Sequence, residues 1–216
     1  MDAFNSDSAA TGGRRAGRPR SEACRQAILR AAYDLLGETG LSGFTIERVA
    51  ARSGTARTTV YRWWRSKGAL AVDALMAAIA PELAVPRTAS AVADIKAQMR
   101  LLARTLTGPP GVIIRSIIAE AQSDTDTAQA FLAGYVLVRR NETKALLDDA
   151  VALGELPTAL DREATIDALF GPLYHRLLLR IGELDDAWVE RVCEVVLGGV
   201  RARAHATTGS ERAAGG

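Results

Sequence analysis

The stretch TIERVAARSGTARTTVYRWWRSKGAL, residues 45–70, decides the architecture of the first part of the chain. Its apolar spacing predicts two short helices, at 46–52 and 56–64, with Thr45 as the N-cap of the first. Between them lies the pair Ser53-Gly54, and glycine adopts the positive φ that such a tight turn often needs. Two helices of about two turns each, joined in this way, have the dimensions of a helix-turn-helix.

The two faces of this helix pair differ in chemistry. Val49, Ala50 and Val60 are apolar and would clamp the helices together. The opposite face of the second helix carries hydroxyl, guanidinium and phenol groups, which hydrogen-bond phosphates and base edges. These residues are Arg57, Thr58, Thr59, Tyr61 and Arg62. The pattern predicts a nucleic-acid-binding face, and the alternative is an arginine-rich face exposed to solvent.

Charge is distributed unevenly along the 216 residues. Residues 1–70 contain 12 basic and 6 acidic side chains, a net charge of +6, whereas residues 71–216 contain 15 basic and 19 acidic ones, a net charge of −4. A basic segment joined to a mildly acidic one is typical of a polyanion-binding module attached to a second domain. Chance clustering of surface arginines would give the same balance, so charge alone does not decide between the two.

Nearly every segment from Ser21 onward has the apolar period of an amphipathic helix, and none alternates convincingly with period two. We therefore predict an all-α fold of about nine helices. We divide the chain into a flexible basic tail at 1–19, a helix-turn-helix domain at 20–80, a second helical domain at 81–204 and a flexible tail at 205–216. The arginines of the first tail either contact DNA as a basic arm or make no ordered contact. They are Arg14, Arg15, Arg18 and Arg20.

The segment GTARTTVYRWWRSKGAL, residues 54–70, resembles the signature of the TetR/AcrR family of transcriptional regulators. Residues that agree with the family pattern in type and spacing are Gly54, Thr59, Tyr61, Arg62, Ser66, Lys67, Ala69 and Leu70. Ala56 replaces a serine that caps this helix in the family, which costs about 1 kcal/mol of helix stability unless Thr55 acts as the cap instead. Gly68 replaces an acidic residue, which weakens the start of the next helix slightly. The resemblance implies an N-terminal three-helix DNA-binding domain and a C-terminal ligand-binding and dimerisation domain.

The resemblance also implies roles for the residues of the motif. The second short helix would lie in the major groove, with Arg57 and Thr58 meeting bases and Arg57 pairing with guanine. Lys67 matches a position that grips the sugar-phosphate backbone, Trp63 would border the DNA, and Trp64 would pack in the core. The DNA-binding residues implied in this way are Thr45, Arg57, Thr58, Thr59, Tyr61, Arg62, Trp63 and Lys67.

In regulators of this kind the later helices form a dimer and a cavity for an effector. The expected interface residues are Leu173, Leu177, Leu178, Val192, Val195 and Val196, unless they belong to the intramolecular core. The cavity would suit a hydrophobic or aromatic small molecule. Its expected lining is Met99, Ile114, Ile118, Phe131, Tyr135, Arg139, Phe170, Tyr174 and His175. Tyr135, Arg139 and His175 are the candidate polar anchors, or else ordinary side chains without a ligand role.

Other classes of protein fit the sequence poorly. Cys24 and Cys193 lack metal-ligand spacing, His175 and His205 are the two histidines, and no phosphate-binding loop, nucleophile elbow or dinucleotide fingerprint is found. We therefore predict a protein that is not an enzyme and holds no metal or cofactor. No apolar run approaches the ~18 residues of a membrane span, and no secretory signal is evident, so we expect a cytoplasmic location without a membrane partner.

The resemblance therefore implies a repressor that binds an inverted-repeat operator in double-stranded DNA as a homodimer. A small-molecule effector of unidentified structure would release it. The alternative is a helical protein-interaction module without sequence-specific DNA binding, and the two differ in whether binding to duplex is sensitive to salt.

Overall fold

The computed structural model describes the backbone of residues 18–83 and 87–213 and the side chains of residues 21–83 and 87–200. The helices, numbered in chain order, are α1 Arg18–Thr39, α2 Ile46–Ser53, α3 Arg57–Trp63, α4 Lys67–Ile79, α5 Ala91–Thr107, α6 Pro109–Ala121, α7 Thr125–Phe131, α8 Leu137–Ala152, α9 Arg162–Leu179 and α10 Asp186–Ala213. A π-helical segment, Leu132–Val136, joins α7 to α8 without a break, so these three form one long helix. By that count the described residues contain nine helices and no strand, which confirms the predicted all-α fold.

The first four helices pack around an apolar core that begins on α1. Ile28, Leu35 and Leu36 lie on one side of α1 and are buried where α1 meets α4. Leu70 and Leu75 are the corresponding buried residues of α4. Each such side chain contributes about 1.5–3 kcal/mol on burial, so this contact supports the two short helices that lie beside it.

The second part of the chain folds back sharply between α5 and α6. Pro109 opens α6, where its missing N–H would have no helical partner. A Cβ atom on Gly111 would lie 1.9 Å from the carbonyl oxygen of Leu106, so only glycine fits where the two helices meet. The close approach brings α6 alongside α5.

The last helix closes the second part by packing on α5. Cys193 Sγ of α10 lies 3.4 Å from Met99 Sδ of α5, and both side chains are buried. Burial raises the pKa of Cys193 to about 11, so its thiol stays protonated at neutral pH. Cys24 is also a free thiol.

The helices extend into both predicted tails. α1 begins at Arg18, inside 1–19, and α10 continues to Ala213, inside 205–216. Alanine and arginine alternate just beyond residue 200, and both are strong helix formers, so the last helix continues. Arg14 and Arg15 lie outside the described residues, as do the side chains of Arg18 and Arg20.

Candidate nucleic-acid interface and adjoining cavity

Thr45 and Gly54 define the two ends of α2. Thr45 has an extended backbone, and its hydroxyl accepts a hydrogen bond from Arg48 N at 3.2 Å, which confirms the predicted N-cap. Gly54 follows the last turn with a φ of 65°, in the left-handed region that favours glycine. Thr55 N then donates to Ala50 O at 3.0 Å. These contacts fix the direction in which α3 leaves α2.

α3 buries one side and exposes the other. Val60 is buried together with Val49 and Ala50, where α2 and α3 meet. Six of the residues expected to bind DNA are exposed: Thr45, Arg57, Thr58, Tyr61, Arg62 and Trp63. Thr59 and Lys67 are half-buried. Five of the exposed residues share α3, so this single short helix presents guanidinium, hydroxyl and aromatic groups to solvent.

Arg57 is held by two neighbours at the start of α3. Its Nη2 lies 2.8 Å from Glu47 Oε1, and the guanidinium lies 5.4 Å from the centre of the Tyr61 ring. A hydrogen bond to the Tyr61 hydroxyl and the charge of Glu47 raise the pKa of Arg57. The side chain is therefore charged and pre-positioned while remaining 60% exposed.

The two adjacent tryptophans occupy different environments. Trp64 is 4% exposed, its Nε1 donates to Asp73 Oδ2 at 2.9 Å, and Arg25 lies over its ring. Its predicted core position is confirmed. Trp63 is exposed at the end of α3, and its contact with DNA stays a prediction.

Lys67, at the start of α4, contacts the second part of the chain. Its Nζ lies 2.7 Å from Glu120 Oε1 near the end of α6. A contact between this ammonium and a DNA phosphate therefore requires the ion pair with Glu120 to open. The predicted phosphate contact remains a prediction with that condition attached.

Two glycines let α4 approach its neighbours closely. A Cβ atom on Gly68 would lie 2.4 Å from Thr127 Oγ1 and 2.8 Å from Thr127 Cα, which belong to α7. A Cβ atom on Gly134, in the π-helical segment, would lie 2.7 Å from Val72 Cγ1 of α4. The sequence pattern predicts only that Gly68 weakens the start of its helix. Its packing role is not visible there because the contacting residue, Thr127, lies 59 residues away in the chain.

A cavity of about 510 Å³ lies between the helices of the second part. Its volume is within the range of about 300–1,000 Å³ found for small-molecule sites. Most of the wall is apolar, with arginine, threonine, aspartate, glutamine and tyrosine side chains among it. The lining residues are Leu102, Ile118, Ala121, Gln122, Phe131, Val136, Arg139, Arg140, Thr143, Ile166, Asp167, Phe170, Gly171, Tyr174 and Leu178.

Five of the residues expected to line an effector site lie in the wall of this cavity, and four do not. The five are Ile118, Phe131, Arg139, Phe170 and Tyr174. Met99 and Ile114 are fully buried core residues that do not line the cavity. Tyr135 is also fully buried outside the wall, and its hydroxyl reaches Tyr174. His175 is exposed on the outside of α9, so its expected role as an anchor is wrong.

Helical spacing would have found several of the lining residues that we missed. Phe170 and Tyr174 are four residues apart on α9, and the same step leads to Ile166 and Leu178, which also line the cavity. Likewise, Thr143 follows Arg139 by four residues on α8. Arg140 carries no such signal, because a neighbouring position normally faces elsewhere.

The residues expected at a dimer interface divide into two groups. Leu173 and Leu177 are buried in the intramolecular core, so their assignment to an interface is wrong. They lie on the inner side of α9, which packs on α5 and α10. Leu178 and Val195 are exposed, with Val195 at 76%, while Val192 and Val196 are half-buried. The second group stays a prediction for the interface.

Among the described residues, no group of three or more His, Cys, Asp and Glu side chains is placed to hold a metal ion. Within the same ranges, none of the helices is both long and apolar enough to cross a lipid bilayer.

Two family profiles match the sequence. The profile "Bacterial regulatory proteins, tetR family" matches residues 28–74, and the profile "Tetracyclin repressor-like, C-terminal domain" matches residues 85–196. The first match contains α2 and α3, and the second contains every residue that lines the cavity.

The chain is similar over most of its length to proteins named as transcription regulators. The uncharacterized HTH-type transcriptional regulator YdeS of Bacillus subtilis is 37% identical over 86% of this chain and 94% of its own. The DNA-binding transcriptional repressor TetR of Mycobacteroides abscessus is 31% identical over 82% of this chain and 94% of its own. The crystal structure of TetR family transcription regulator SCO0332, 39% identical, superposes with a TM-score of 0.73 over 82% of this chain and 98% of that one.

Proposed function

The chain belongs to the TetR family of bacterial transcription regulators, which are not enzymes, and we propose that it represses transcription from an inverted-repeat operator as a homodimer. The observation that carries the proposal is the exposed face of α3, which holds two arginines, two hydroxyl groups and a tryptophan on one seven-residue helix. Repression as the output is supported by the M. abscessus relative, which is named a repressor. Because the target is an operator, we also propose a cytoplasmic location.

Arg57 is the residue best suited to read a base. Its guanidinium is exposed at the first turn of α3, and Glu47 and the Tyr61 ring limit its freedom before DNA arrives. An arginine pre-positioned in this way loses less side-chain entropy when it donates two hydrogen bonds to guanine O6 and N7. Arg62 and Arg65 have no ion pair among the described side chains, so both are available to phosphates.

An exposed apolar face on α9 and α10 supports the homodimer. Leu179 and Val195 are exposed there, as is Leu178, which also lines the cavity, and a Cβ atom on Gly198 would meet nothing within 4 Å. Small and apolar residues together allow a helix pair from a second copy to pack closely. A two-fold dimer then sets the two copies of α3 about 34 Å apart, or a small multiple of that distance, to match two half-sites.

The cavity and α3 are connected through α4. Lys67 of α4 pairs with Glu120, which neighbours the cavity residue Ala121. Gly68 and Val72 of α4 pack on α7 and the π-helical segment, which also contribute to the cavity wall. An effector that prefers a different spacing of these walls would move α4 and weaken DNA binding. The factor by which DNA affinity falls cannot exceed the ratio of the effector's affinities for the two spacings.

Selection of bound sequences from a random duplex pool tests the proposal, followed by titration of the selected duplex. We expect an inverted repeat and an affinity that falls steeply with salt. Arg57→Ala should lose about 1–3 kcal/mol, equivalent to an affinity loss of about five- to 150-fold, and should relax preference at one base pair of each half-site.

Arg104→Ala is the matched control. Arg104 is a similarly exposed arginine paired with one carboxylate, Asp186, but it lies on α5. We expect this variant to bind the selected duplex like the parent protein. Failure to select any repeat, or unchanged sequence preference in Arg57→Ala, would refute the assignment of α3 as the reading helix.

A further inference from the structure

Arg139 is a cavity-wall residue whose charged group lacks part of its hydrogen bonding. Its side chain is 12% exposed, and Nη1 lies 2.6 Å from Glu142 Oε2. Nη2 is buried, and no acceptor among the described residues lies within hydrogen-bond distance of it. A buried donor without an acceptor carries a free-energy cost, and native proteins leave few such groups. A bound molecule that supplies an acceptor at Nη2 removes this cost.

A comparison with the neighbouring Arg140 shows that the missing hydrogen-bond acceptor is specific to Arg139. Arg140 lines the same cavity, but its Nη1 donates to Asp167 and its Nη2 donates to Glu163. Both terminal nitrogens of Arg140 therefore have carboxylate partners. Of the two arginines in the wall, only Arg139 has a buried terminal nitrogen left for a ligand.

A second donor is found beside the guanidinium. The hydroxyl oxygens of Tyr135 and Tyr174 are 2.9 Å apart, so one phenol donates to the other. Two hydroxyl groups carry two protons, and this bond uses one of them. No further acceptor for the pair is present among the described residues. Tyr174 lines the same cavity as Arg139, and Tyr135 precedes Arg139 by four residues, so the phenol pair and the guanidinium belong to one side of the cavity. Burial raises the pKa of both tyrosines, so both phenols keep their protons.

We propose that the cavity binds a carboxylate with an apolar body. A carboxylate has two acceptor oxygens and no donor, which matches the Arg139 N–H and the unused phenol O–H. The apolar body would lie against Ile118, Phe131 and Phe170. The inference rests on the proposed function and deepens it, because it names the chemical class of the effector.

The acidic groups near the cavity do not oppose this assignment. Glu142, Glu163 and Asp167 have about half or more of their side-chain surface exposed to water. Water screens the repulsion between these groups and a bound anion, whereas the buried Nη2 of Arg139 is not screened.

Calorimetric titration of the full chain with decanoate, methyl decanoate and decan-1-ol tests the proposal. The three probes share an apolar body, and only decanoate is an anion with two acceptor oxygens. We expect decanoate to bind at least tenfold more tightly than either neutral probe. Arg139→Met should remove this preference, a ten- to hundredfold loss for decanoate, whereas Arg139→Lys should keep part of it because the charge remains.

Arg100→Met is the matched control, because Arg100 is also a half-buried arginine paired with a glutamate, Glu190, but lies outside the cavity wall. It should keep the parent preference for decanoate. Equal affinities for the three probes, no binding of any of them, or a preference that survives in a folded Arg139→Met protein would overturn the proposal. If the parent binds its selected duplex but not decanoate, only the effector class fails. If it binds decanoate but no duplex, the proposed function fails and the effector class stands.

Discussion

Replacing Gly68 by alanine tests whether α4 is seated on α7 as the structure describes. The added Cβ would lie 2.8 Å from Thr127 Cα, so the two backbones must separate by about 0.6 Å to restore an ordinary contact of 3.4 Å. Overpacking of this kind costs about 1–3 kcal/mol, and a clash with backbone falls at the upper end because no side chain can rotate away. Alanine regains up to about 1 kcal/mol as the better helix former, which leaves a net loss of about 2 kcal/mol.

Urea and thermal unfolding at a fixed protein concentration measure this loss. We expect a lower urea midpoint and a Tm lower by about 4–8 °C for a chain of this size. The control is Gly37→Ala, since Gly37 also lies in a helix but its Cβ would meet nothing within 4 Å. That substitution should raise stability by about 0.5–1 kcal/mol. A Gly68→Ala protein as stable as the parent would show that α4 does not meet α7 in this way.

Three further substitutions probe the cap of α2, the interface and the response to acid. Thr45→Ala removes the hydroxyl that accepts from Arg48 N and should cost about 0.5–2 kcal/mol in urea unfolding; an unchanged midpoint would mean that the cap does not form. Val195→Glu places a charge at a 76% exposed position of the expected interface and should give a folded monomer in light scattering, whereas a dimer would locate the interface elsewhere. Asp94 accepts hydrogen bonds from the Thr88 amide and hydroxyl, which lower its pKa. The contribution of the ionised Asp94 to stability is present above the ordinary aspartate pKa and is lost as pH falls through the lowered pKa of Asp94 in the folded protein. The urea midpoint of Asp94→Asn should therefore depend less on pH, between about pH 6 and pH 2, than that of the parent. An equal pH dependence of the two midpoints would contradict this role of Asp94.

The helix-turn-helix could be predicted because its determinants are local. The Thr45 cap acts on an amide three residues away, and the left-handed Gly54 acts on the next turn. The apolar period assigned Val60 to the inner face and left Arg57 on the outer one, as the structure has them. Such contacts span one or two helical turns and depend little on the rest of the chain.

The lining of the cavity and the environments of the leucines near the end of α9 could be predicted only in part. Periodicity identifies an apolar face but does not say which other helix covers it. Leu177 and Leu178 are adjacent and equally apolar, yet the first is buried in the core and the second lines the cavity and is half exposed. Likewise Met99 meets Cys193, 94 residues away, and this contact removes it from the cavity wall.

The sequence by itself determined the all-α fold, the two short helices and the polar face of α3, because caps, turns and apolar period act between residues close in the chain. Only the tertiary structure decided that Arg140 is fully paired while Arg139 keeps an unpaired nitrogen, since Asp167 and Glu163 reach Arg140 from another helix. It also decided that Gly68 is a packing residue and that Lys67 faces Glu120. Pairing across helices depends on how the helices dock, which local sequence patterns do not encode.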